Sequence, residues 1–385
     1  MIPALVRHVR ILVGLVAMGS LSVAHAAPVR LMPISELKPV TTIHLGETAD
    51  WVAIADDAVW VGSTGPNAVH RIDPRTNQRI ATIGLPGEPC AGLATGFGRV
   101  WVPLCTKPTS LAKVDARNGA VTVLANVGPA AAEGGVTTSA DSVWLLSDAK
   151  GTLLRIDPAS GKVRQTITVP AGSYNPAFAA GKIWVTRADG AEITRIDATS
   201  GNVLGSAQTG GRPRFLTAGA DAVWTLNQKD GSVTRIDAST GKVRATIETA
   251  LSGQGGDIAF ADGLVWLTVR RVPLSAIDSA TNTLACQWVG AGGDSLRIGH
   301  GAIWLTDYDG GTLTRYDLKD ASTRCRSYAL EGTWKLTRYE DKAPDFIGRS
   351  EERPFVLEDG RLVLRPVWTT DGQRWQGLRV FERAN

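Results

Sequence analysis

The segment KIWVTRADGAEITRIDATSGNVLGSAQ, residues 182–208, contains the unit from which most of this chain is built. A tryptophan lies between two apolar residues, a polar loop follows, and a second apolar stretch ends in Arg195-Ile196-Asp197 before a glycine turn. The tryptophan recurs at successive spacings of 41, 43, 40, 40, 42 and 38 residues. Its seven positions are Trp60, Trp101, Trp144, Trp184, Trp224, Trp266 and Trp304. Such a period, made of short strands and turns, is typical of a β-propeller blade, so the sequence predicts an all-β, seven-bladed propeller.

The recurring Arg-Ile-Asp ending predicts a turn rather than charge chemistry. It occurs at residues 155–157, 195–197 and 235–237, each time shortly before a glycine. An aspartate at this point can accept backbone N–H groups across the turn while glycine adopts positive φ. The tryptophans could instead offer a stacking platform for a ligand. Because one stands at the same strand position of every blade, we expect them to fill the gaps between neighbouring sheets.

Ring closure has two candidate strands. The stretch from Val40 to Leu45 is predicted to be an isolated strand ahead of the first blade, where it could complete the seventh blade. The stretch from Arg324 to Leu330 competes for the same place, or both strands could pair with that blade. We expect closure by the N-terminal strand.

Three regions follow from composition. Residues 1–26 carry Arg7 and Arg10, an apolar run from 11 to 23 and a small-residue site at 24–26, which predicts a signal peptide. A membrane anchor is the alternative, but the run is shorter than the roughly 20 residues that span a bilayer. The propeller is predicted over 27–330. Residues 331–385 lose the repeat and contain a hairpin signal around Glu358-Asp359-Gly360, so we expect a small β-rich C-terminal extension.

Charge and cysteine content set the compartment and exclude one class of partner. The chain has 41 Lys plus Arg against 37 Asp plus Glu, which is not the footprint of a nucleic-acid-binding protein. The four cysteines suit an oxidising compartment, with predicted disulfides Cys90–Cys105 and Cys286–Cys325. Metal binding is the alternative, but no CxxC spacing occurs and no histidine lies near them in sequence. We expect a periplasmic or secreted monomer without a membrane span.

The unit Val/Ile-Trp-Val followed by Arg-Ile-Asp and a Gly-Lys-Val turn resembles the YVTN-type repeat, especially the virginiamycin B (streptogramin) lyase-like group of seven-bladed proteins. The resemblance implies a divalent metal and a histidine general base for the lyase. Beyond the leader this chain has His44, His70 and His300, none of which matches that base. No catalytic residue is therefore carried over. The calcium sites of gluconolactonase-like propellers could be imitated by Asn227, Asp257 and Asp307.

The loops that join strands D to A and B to C gather at one end of a propeller channel, where a ligand would bind. Arginines concentrate there and would suit a carboxylate, phosphate or sulfate group. Solvated arginines paired with acidic loop residues are the alternative. The candidate ligand-binding residues are Tyr174, Arg187, Arg212, Arg214, Asn227, Asp257, Arg270 and Asp307.

These observations favour a secreted binding or protein-interaction module over an enzyme. The expected partner is a small anionic molecule or a component of the cell envelope, and no cofactor is required. The alternative is a metal-assisted lyase or lactone hydrolase, which would need a divalent metal. Nucleophilic catalysis has little support, because the chain has no Gly-x-Ser-x-Gly elbow.

Overall fold

The computed structural model describes residues 31–89, 92–125, 127, 135–253 and 255–330, and after them the backbone of six strands between 334 and 383. Seven antiparallel sheets follow one another around a ring, and the first strand of each sheet contacts the first strand of the next. The last sheet contacts the first in the same way. The predicted seven-bladed propeller is therefore confirmed.

Each blade has four strands, named A to D outward from the channel. Blade 1 contains Thr48–Ile54, Val59–Thr64, Ala68–Asp73 and Gln78–Gly84. Blade 2 contains Ala94–Gly96, Arg99–Leu104, Ser110–Asp115 and Val121–Leu124. Blade 3 contains Val136–Thr138, Val143–Asp148, Thr152–Ile156 and Val163–Thr168. Blade 4 contains Ser173–Ala179, Lys182–Arg187, Glu192–Asp197 and Val203–Gln208.

The last three blades continue the series. Blade 5 contains Pro213–Gly219, Ala222–Asn227, Ser232–Asp237 and Val243–Glu248. Blade 6 contains Asp257–Ala261, Leu264–Val269, Val272–Asp278 and Thr283–Val289. Blade 7 contains Leu296–Gly299, Ala302–Asp307 and Thr312–Asp317, with Thr41–His44 as its fourth strand.

The N-terminal strand closes the ring, as expected. Thr41–His44 pairs antiparallel with Thr312–Asp317, and the hydroxyl groups of Thr42 and Thr314 lie 3.2 Å apart. The alternative prediction, a strand from Arg324 to Leu330, is wrong, because Leu318–Leu330 forms an α-helix, named α1. Asp317 accepts a hydrogen bond from the backbone N–H of Asp320 at 2.8 Å, which caps the first turn.

A short strand adds to the outer edge of blade 6. Leu31–Pro33 lies parallel to Thr283–Val289, with Met32 opposite Trp288. Both side chains are buried, so this segment extends the core of the blade outward. The 3-10 helix Ile34–Glu36 then leads to the closing strand. Three residues without a repeated pattern offered no signal for this fifth strand.

The seven repeat tryptophans fill the gaps between blades. Each is at most 1% exposed. Trp144 of blade 3 packs in one cluster with Ile183 and Val185 of blade 4, and Trp304 of blade 7 packs with Val59 of blade 1. Burying an indole in every gap stabilises each blade against the next, which confirms the predicted packing role.

The Arg-Ile-Asp units form turns, and their arginines also join neighbouring blades. Asp197 accepts the backbone N–H groups of Thr199 and Ser200 at 3.1 and 2.7 Å, as predicted. The Arg195 guanidinium lies 5.9 Å from the ring centroid of Trp184 and donates to the carbonyl of Thr240 in the next blade at 2.7 Å. The same arrangement recurs in blades 3, 5 and 7, at Arg155, Arg235 and Arg315.

The predicted bond between Cys286 and Cys325 is confirmed. Cys286 lies in the outermost of the four antiparallel strands of blade 6, whereas Cys325 lies on helix α1 rather than on a strand. The bond therefore ties the helix to the outside of the blade. Cys105 is also disulfide-bonded, and its predicted partner Cys90 lies outside the described residues.

The C-terminal region is β-rich in its described backbone. Its strands are Trp334–Glu340, Phe355–Glu358, Arg361–Leu364, Val367–Thr370, Gln373–Gln376 and Leu378–Arg383. Four of them form one antiparallel sheet and two form a hairpin. The expected hairpin between Phe355–Glu358 and Arg361–Leu364 is present. No helix among the described residues combines the length and apolar character needed to cross a bilayer.

Candidate functional site

A cavity of about 420 Å³ opens at the end of the channel where the D-to-A and B-to-C loops meet. Its wall comes from blades 1, 2, 5, 6 and 7, because the loops of all these blades converge there. The charged and aromatic residues of the lining are Asp50, Trp51, Glu88, Arg214, Phe215, Arg270, Asp294 and Tyr308. We call this cavity the channel mouth.

One arginine of the channel mouth, Arg214, lies over two aromatic rings. The Arg214 guanidinium lies 4.6 Å from the ring centroid of Tyr174 and 5.3 Å from that of Phe215, and it donates a hydrogen bond to the Tyr174 hydroxyl. The centroids of Phe215 and Trp51 are 5.9 Å apart, so blades 5 and 1 meet across the channel. These contacts restrain the guanidinium, and the rings of Trp51 and Phe215 form part of the wall of the channel mouth.

A second arginine of the channel mouth, Arg270, lies over the ring of Tyr308. The Arg270 guanidinium lies 5.3 Å from the ring centroid of Tyr308 and is 3.9 Å from the carboxylate of Asp309. The Arg270 side chain is 44% exposed, so its donors can reach a ligand. Burial raises the pKa of Tyr308, and the carboxylates of Asp50, Glu88 and Asp294 raise it further. The phenol therefore stays a neutral donor.

Two carboxyl groups of the channel mouth share a hydrogen bond. Asp294 is 9% exposed, bonds to the side chain of Asp50 and accepts the backbone N–H of Gly256 at 3.2 Å. Burial raises the pKa of Asp294 above its usual value, and the Gly256 N–H and Arg270 oppose that rise. Because a bond between two carboxyl groups requires a proton, the pair carries less than its full negative charge.

Two of the predicted arginines lie outside this lining. The Arg187 guanidinium is bound by Asp189 at 2.8 Å and by Glu192 at 2.9 Å, within its own blade. Arg212 is positioned by its backbone, whose N–H donates to the carbonyl of Gly190 at 2.8 Å. Neither side chain is among the lining residues of the channel mouth. Of the predicted set, Arg214 and Arg270 line it, and Tyr174 contacts it through Arg214.

The three candidate calcium ligands make hydrogen bonds within the propeller. Asn227 is fully buried and donates to Ser232 and Thr234 at 3.0 and 2.9 Å. Asp257 is 1% exposed and accepts hydrogen bonds from residues of blade 7. Asp307 accepts the backbone N–H of Gly310 at 3.2 Å.

One carboxylate oxygen of Asp257, Oδ1, accepts the backbone N–H of Ile258 at 2.8 Å, and the partners of the other oxygen, Oδ2, come from one segment of blade 7. They are the hydroxyl of Ser295, the backbone N–H of Leu296 and the guanidinium of Arg297. Among the described residues no group of three His, Cys, Asp or Glu side chains could hold a metal ion. The oxygens of Asn227 and Asp257 are occupied by internal bonds, so the residues present do not fit the calcium site of the resemblance.

None of His44, His70 and His300 is among the lining residues of the channel mouth, although His70 contacts one of them, Ser63. His70 is fully buried on strand C of blade 1, where its ring nitrogens contact the hydroxyls of Ser63 at 2.7 Å and Thr82 at 3.1 Å. Burial, and then Arg79, lowers the pKa of His70 to about 4, so the ring is neutral. His300 contacts the carbonyl of Ala55 at 2.9 Å at the opposite end of the sheets.

Six charged or aromatic lining residues are absent from the predicted set: Asp50, Trp51, Glu88, Phe215, Asp294 and Tyr308. Glu88 and Asp294 stand just before strand A of blades 2 and 7, and Phe215 stands in strand A of blade 5. The signal that could have found the two acids was their position in the D-to-A loops, which were already expected to face the ligand. The glycine and proline residues around Glu88 and Asp294 predicted only turns, with no indication of a binding role.

Comparisons with solved structures agree on the fold. The crystal structure of BamB from Moraxella catarrhalis matches at 14% identity and a TM-score of 0.53, covering 73% of this chain and 99% of that one. A streptogramin B lyase structure matches at 15% identity and a TM-score of 0.60, covering 71% and 96%. The computationally designed Ika8 protein matches at 14% identity and a TM-score of 0.54, covering 71% and 97%. Identities this low establish the fold alone.

The family is established by sequence. A search of curated proteins finds no match. The predicted likeness to streptogramin lyase is confirmed at the level of fold, whereas the YVTN type stays a prediction. The family model described as outer membrane protein assembly factor BamB matches residues 107–327, which run from blade 2 into helix α1 and make up more than half of the chain. This chain therefore belongs to the family of outer membrane protein assembly factor BamB.

Proposed function

We propose that this protein is an extracytoplasmic interaction module that assists the assembly of outer-membrane proteins. The observation that carries the proposal is the family match over residues 107–327, because it spans six of the seven blades rather than one motif. The bond between Cys286 and Cys325 supports an oxidising compartment. The signal segment predicted at residues 1–26 would deliver the chain there.

We place the partner contact at the channel-mouth face. Loops from several blades converge there, so one partner can touch many of them at once. The guanidinium groups of Arg214 and Arg270 each lie over a tyrosine ring, which restrains them before a ligand arrives. Planar, oriented guanidinium groups suit carboxylates, so the proposed partner presents an acidic group to this face.

Site-specific photo-crosslinking in the periplasm tests this proposal. A photoreactive residue replaces Asp309, which is 78% exposed and lies beside Arg270. The control position is Ser160, which is exposed in a C-to-D turn at the other end of the sheets. We expect crosslinks from position 309, but not from 160, to a protein that mass spectrometry identifies as a component or client of outer-membrane assembly. Arg270→Glu should weaken those crosslinks.

Two results would overturn the proposal. One is an equal set of crosslinks from positions 309 and 160, which would mean that no face is preferred. The other is an unchanged level of folded outer-membrane proteins in cells that lack this chain and any second copy of it.

A further inference from the structure

The outermost strand of blade 4 differs from those of the other blades. Strand D of this blade, Val203–Gln208, contains no charged residue, and Val203 and Leu204 are 50% and 44% exposed. Within the part of the chain that the structure describes, no strand pairs with its outer side, which we call the blade 4 edge. The backbone N–H and C=O groups of an open strand edge can pair with any extended segment, so proteins usually protect such edges.

The other blades carry the usual forms of protection. Blades 2 and 7 end in strands of only four residues. Blades 1, 3 and 5 each have an arginine on strand D, and Arg244 of blade 5 binds the turn residue Asp237 at 2.6 Å. Blade 6 is covered by Leu31–Pro33. Leu204 stands where blades 3 and 5 have Arg164 and Arg244, so the blade 4 edge lacks length, charge and cover as protection.

Blade 6 shows what occupies an outer edge in this molecule. Its strand D pairs through residues 287–289 with the extended segment Leu31–Pro33. The equivalent residues of blade 4 are 206–208, because both sets lie at the same distance past a shared bulge in strand D. Met32 of the added strand lies opposite Trp288, and both side chains are buried. An extended segment is therefore the occupant that the blade 4 edge can accept.

The side chains of residues 206–208 specify the pattern of that segment. Ala207 is 7% exposed and packs in one cluster with Trp184, so an apolar residue opposite Ala207 would extend the cluster, as Met32 does in blade 6. Ser206 and Gln208 are exposed on the other face of the strand and suit polar neighbours. The blade 4 edge offers no charge that could pair with a charged segment. It fits an uncharged strand in which apolar and polar residues alternate.

The length of the edge decides between a second copy of this chain and a client. A stable interface uses about 20–30 residues on each side, whereas strand D of blade 4 has six. The edge therefore suits brief capture of a short segment and is too small to hold a dimer. Alternation of apolar and polar residues is the pattern of the strands of outer-membrane barrels.

We propose that the blade 4 edge binds an extended, uncharged segment of an unfolded outer-membrane protein as a fifth β-strand. Backbone hydrogen bonds hold the segment, and the alternating side chains select it. The inference rests on the proposed function, because it names the client segment that an assembly role requires. It concerns a different surface, since no residue of Val203–Gln208 lines the channel mouth.

Fluorescence anisotropy of the full chain with three labelled ten-residue peptides tests the inference. The first peptide alternates valine or leucine with threonine or serine. The second has the same residues with the apolar ones in a single block. The third has the first sequence with its four central amides N-methylated, which removes backbone donors and keeps the side chains. We expect the first peptide to bind and each of the others to bind at least tenfold more weakly.

Variants assign the binding to blade 4. Ser206→Lys places a charge in the pairing segment and should weaken the first peptide at least tenfold. Thr166→Lys is the matched control, because Thr166 is exposed at the equivalent position of strand D of blade 3, where Arg164 already protects the edge. Leu204→Arg should also weaken the peptide, since it restores the residue type of blades 3 and 5. Thermal unfolding confirms that each variant is folded.

The inference is wrong if the alternating peptide does not bind, if either altered peptide binds as tightly, or if Thr166→Lys weakens binding as much as Ser206→Lys. These results would leave the crosslinks expected from position 309 unchanged. An unchanged level of folded outer-membrane proteins in cells would in turn leave the binding of the peptide unchanged. Failure of the blade 4 edge and failure of the assembly role are therefore distinguishable.

Discussion

Replacing both Cys286 and Cys325 with alanine should release helix α1 from the outer edge of blade 6. The bond joins residues 39 apart in sequence, and closing a loop of that length in the unfolded chain corresponds to about 4 kcal/mol. Both cysteines are at most 1% exposed, and alanine avoids burying a hydroxyl group without a partner. We therefore expect the double variant to lose about 4 kcal/mol of unfolding free energy.

Scanning calorimetry of the oxidised proteins at one scan rate measures this loss. An unfolding entropy of about 2 cal/mol/K per residue over the roughly 300 residues from 31 to 330 gives a fall in Tm of about 6 °C. The control is Ser327→Ala, on the exposed side of the same helix, which should change Tm by less than about 1 °C. A double variant that melts within about 1 °C of the wild type would refute the reasoning, because the bond would then restrain nothing that matters for unfolding.

Three further predictions concern buried ionisable groups. Because burial lowers the pKa of His70 to about 4, protonation of this ring should cost about 3 kcal/mol of stability as pH falls from 6.5 to 4, and in urea unfolding His70→Gln should lose about that much less than the wild type over the same range. Because burial raises the pKa of Asp294, its ionisation destabilises the fold as pH rises above the usual aspartate range. Asp294→Asn should therefore raise Tm at pH 7 but not at pH 3, and an equal gain in Tm at both pH values would contradict this reasoning. Asp257→Ala should cost about 3 kcal/mol in urea unfolding by leaving Arg297 and the donors of blade 7 unpaired, and a cost no larger than that of the exposed Asp309→Ala would refute the assignment of Asp257 to the framework.

The blade architecture was predictable because one physical requirement repeats. Every gap between sheets needs a large apolar side chain, so the same residue type recurs at the period of the blade, as at Trp184 and Trp224. The closing strand was predictable for a related reason. An isolated strand before the first blade has no sheet of its own, and the seventh blade lacks one strand.

Helix α1 was not predictable from the repeat. The stretch Arg324 to Leu330 stands where a fourth strand was due, and only its wider context reveals the helix. Asp317 caps its start, and Ala321 and Cys325, four residues apart, are both buried. The strand position itself was already taken by Thr41–His44.

The channel mouth was predictable only in part. Its residues come from loops of different blades, and the sequence does not show which of their side chains contact one another. Arg187 and Arg214 occupy the same face, yet Asp189 and Glu192 bind the first, whereas Tyr174 from the neighbouring blade orients the second. Asp294 depends on Asp50, which is more than two hundred residues away in sequence. Contacts of that range require the closed ring.

The chain's first strands belong to its last two blades, and this order has a consequence for biogenesis. Leu31–Pro33 can pair only after Thr283–Val289 has been made, and Thr42 pairs with Thr314, which lies 272 residues later in the chain. A chain made or exported from its N-terminus therefore carries an unpaired edge until nearly the whole propeller has emerged, and contacts of such high sequence separation form slowly. A product truncated before residue 312 keeps that edge exposed, so proteases and chaperones can tell it from the finished ring.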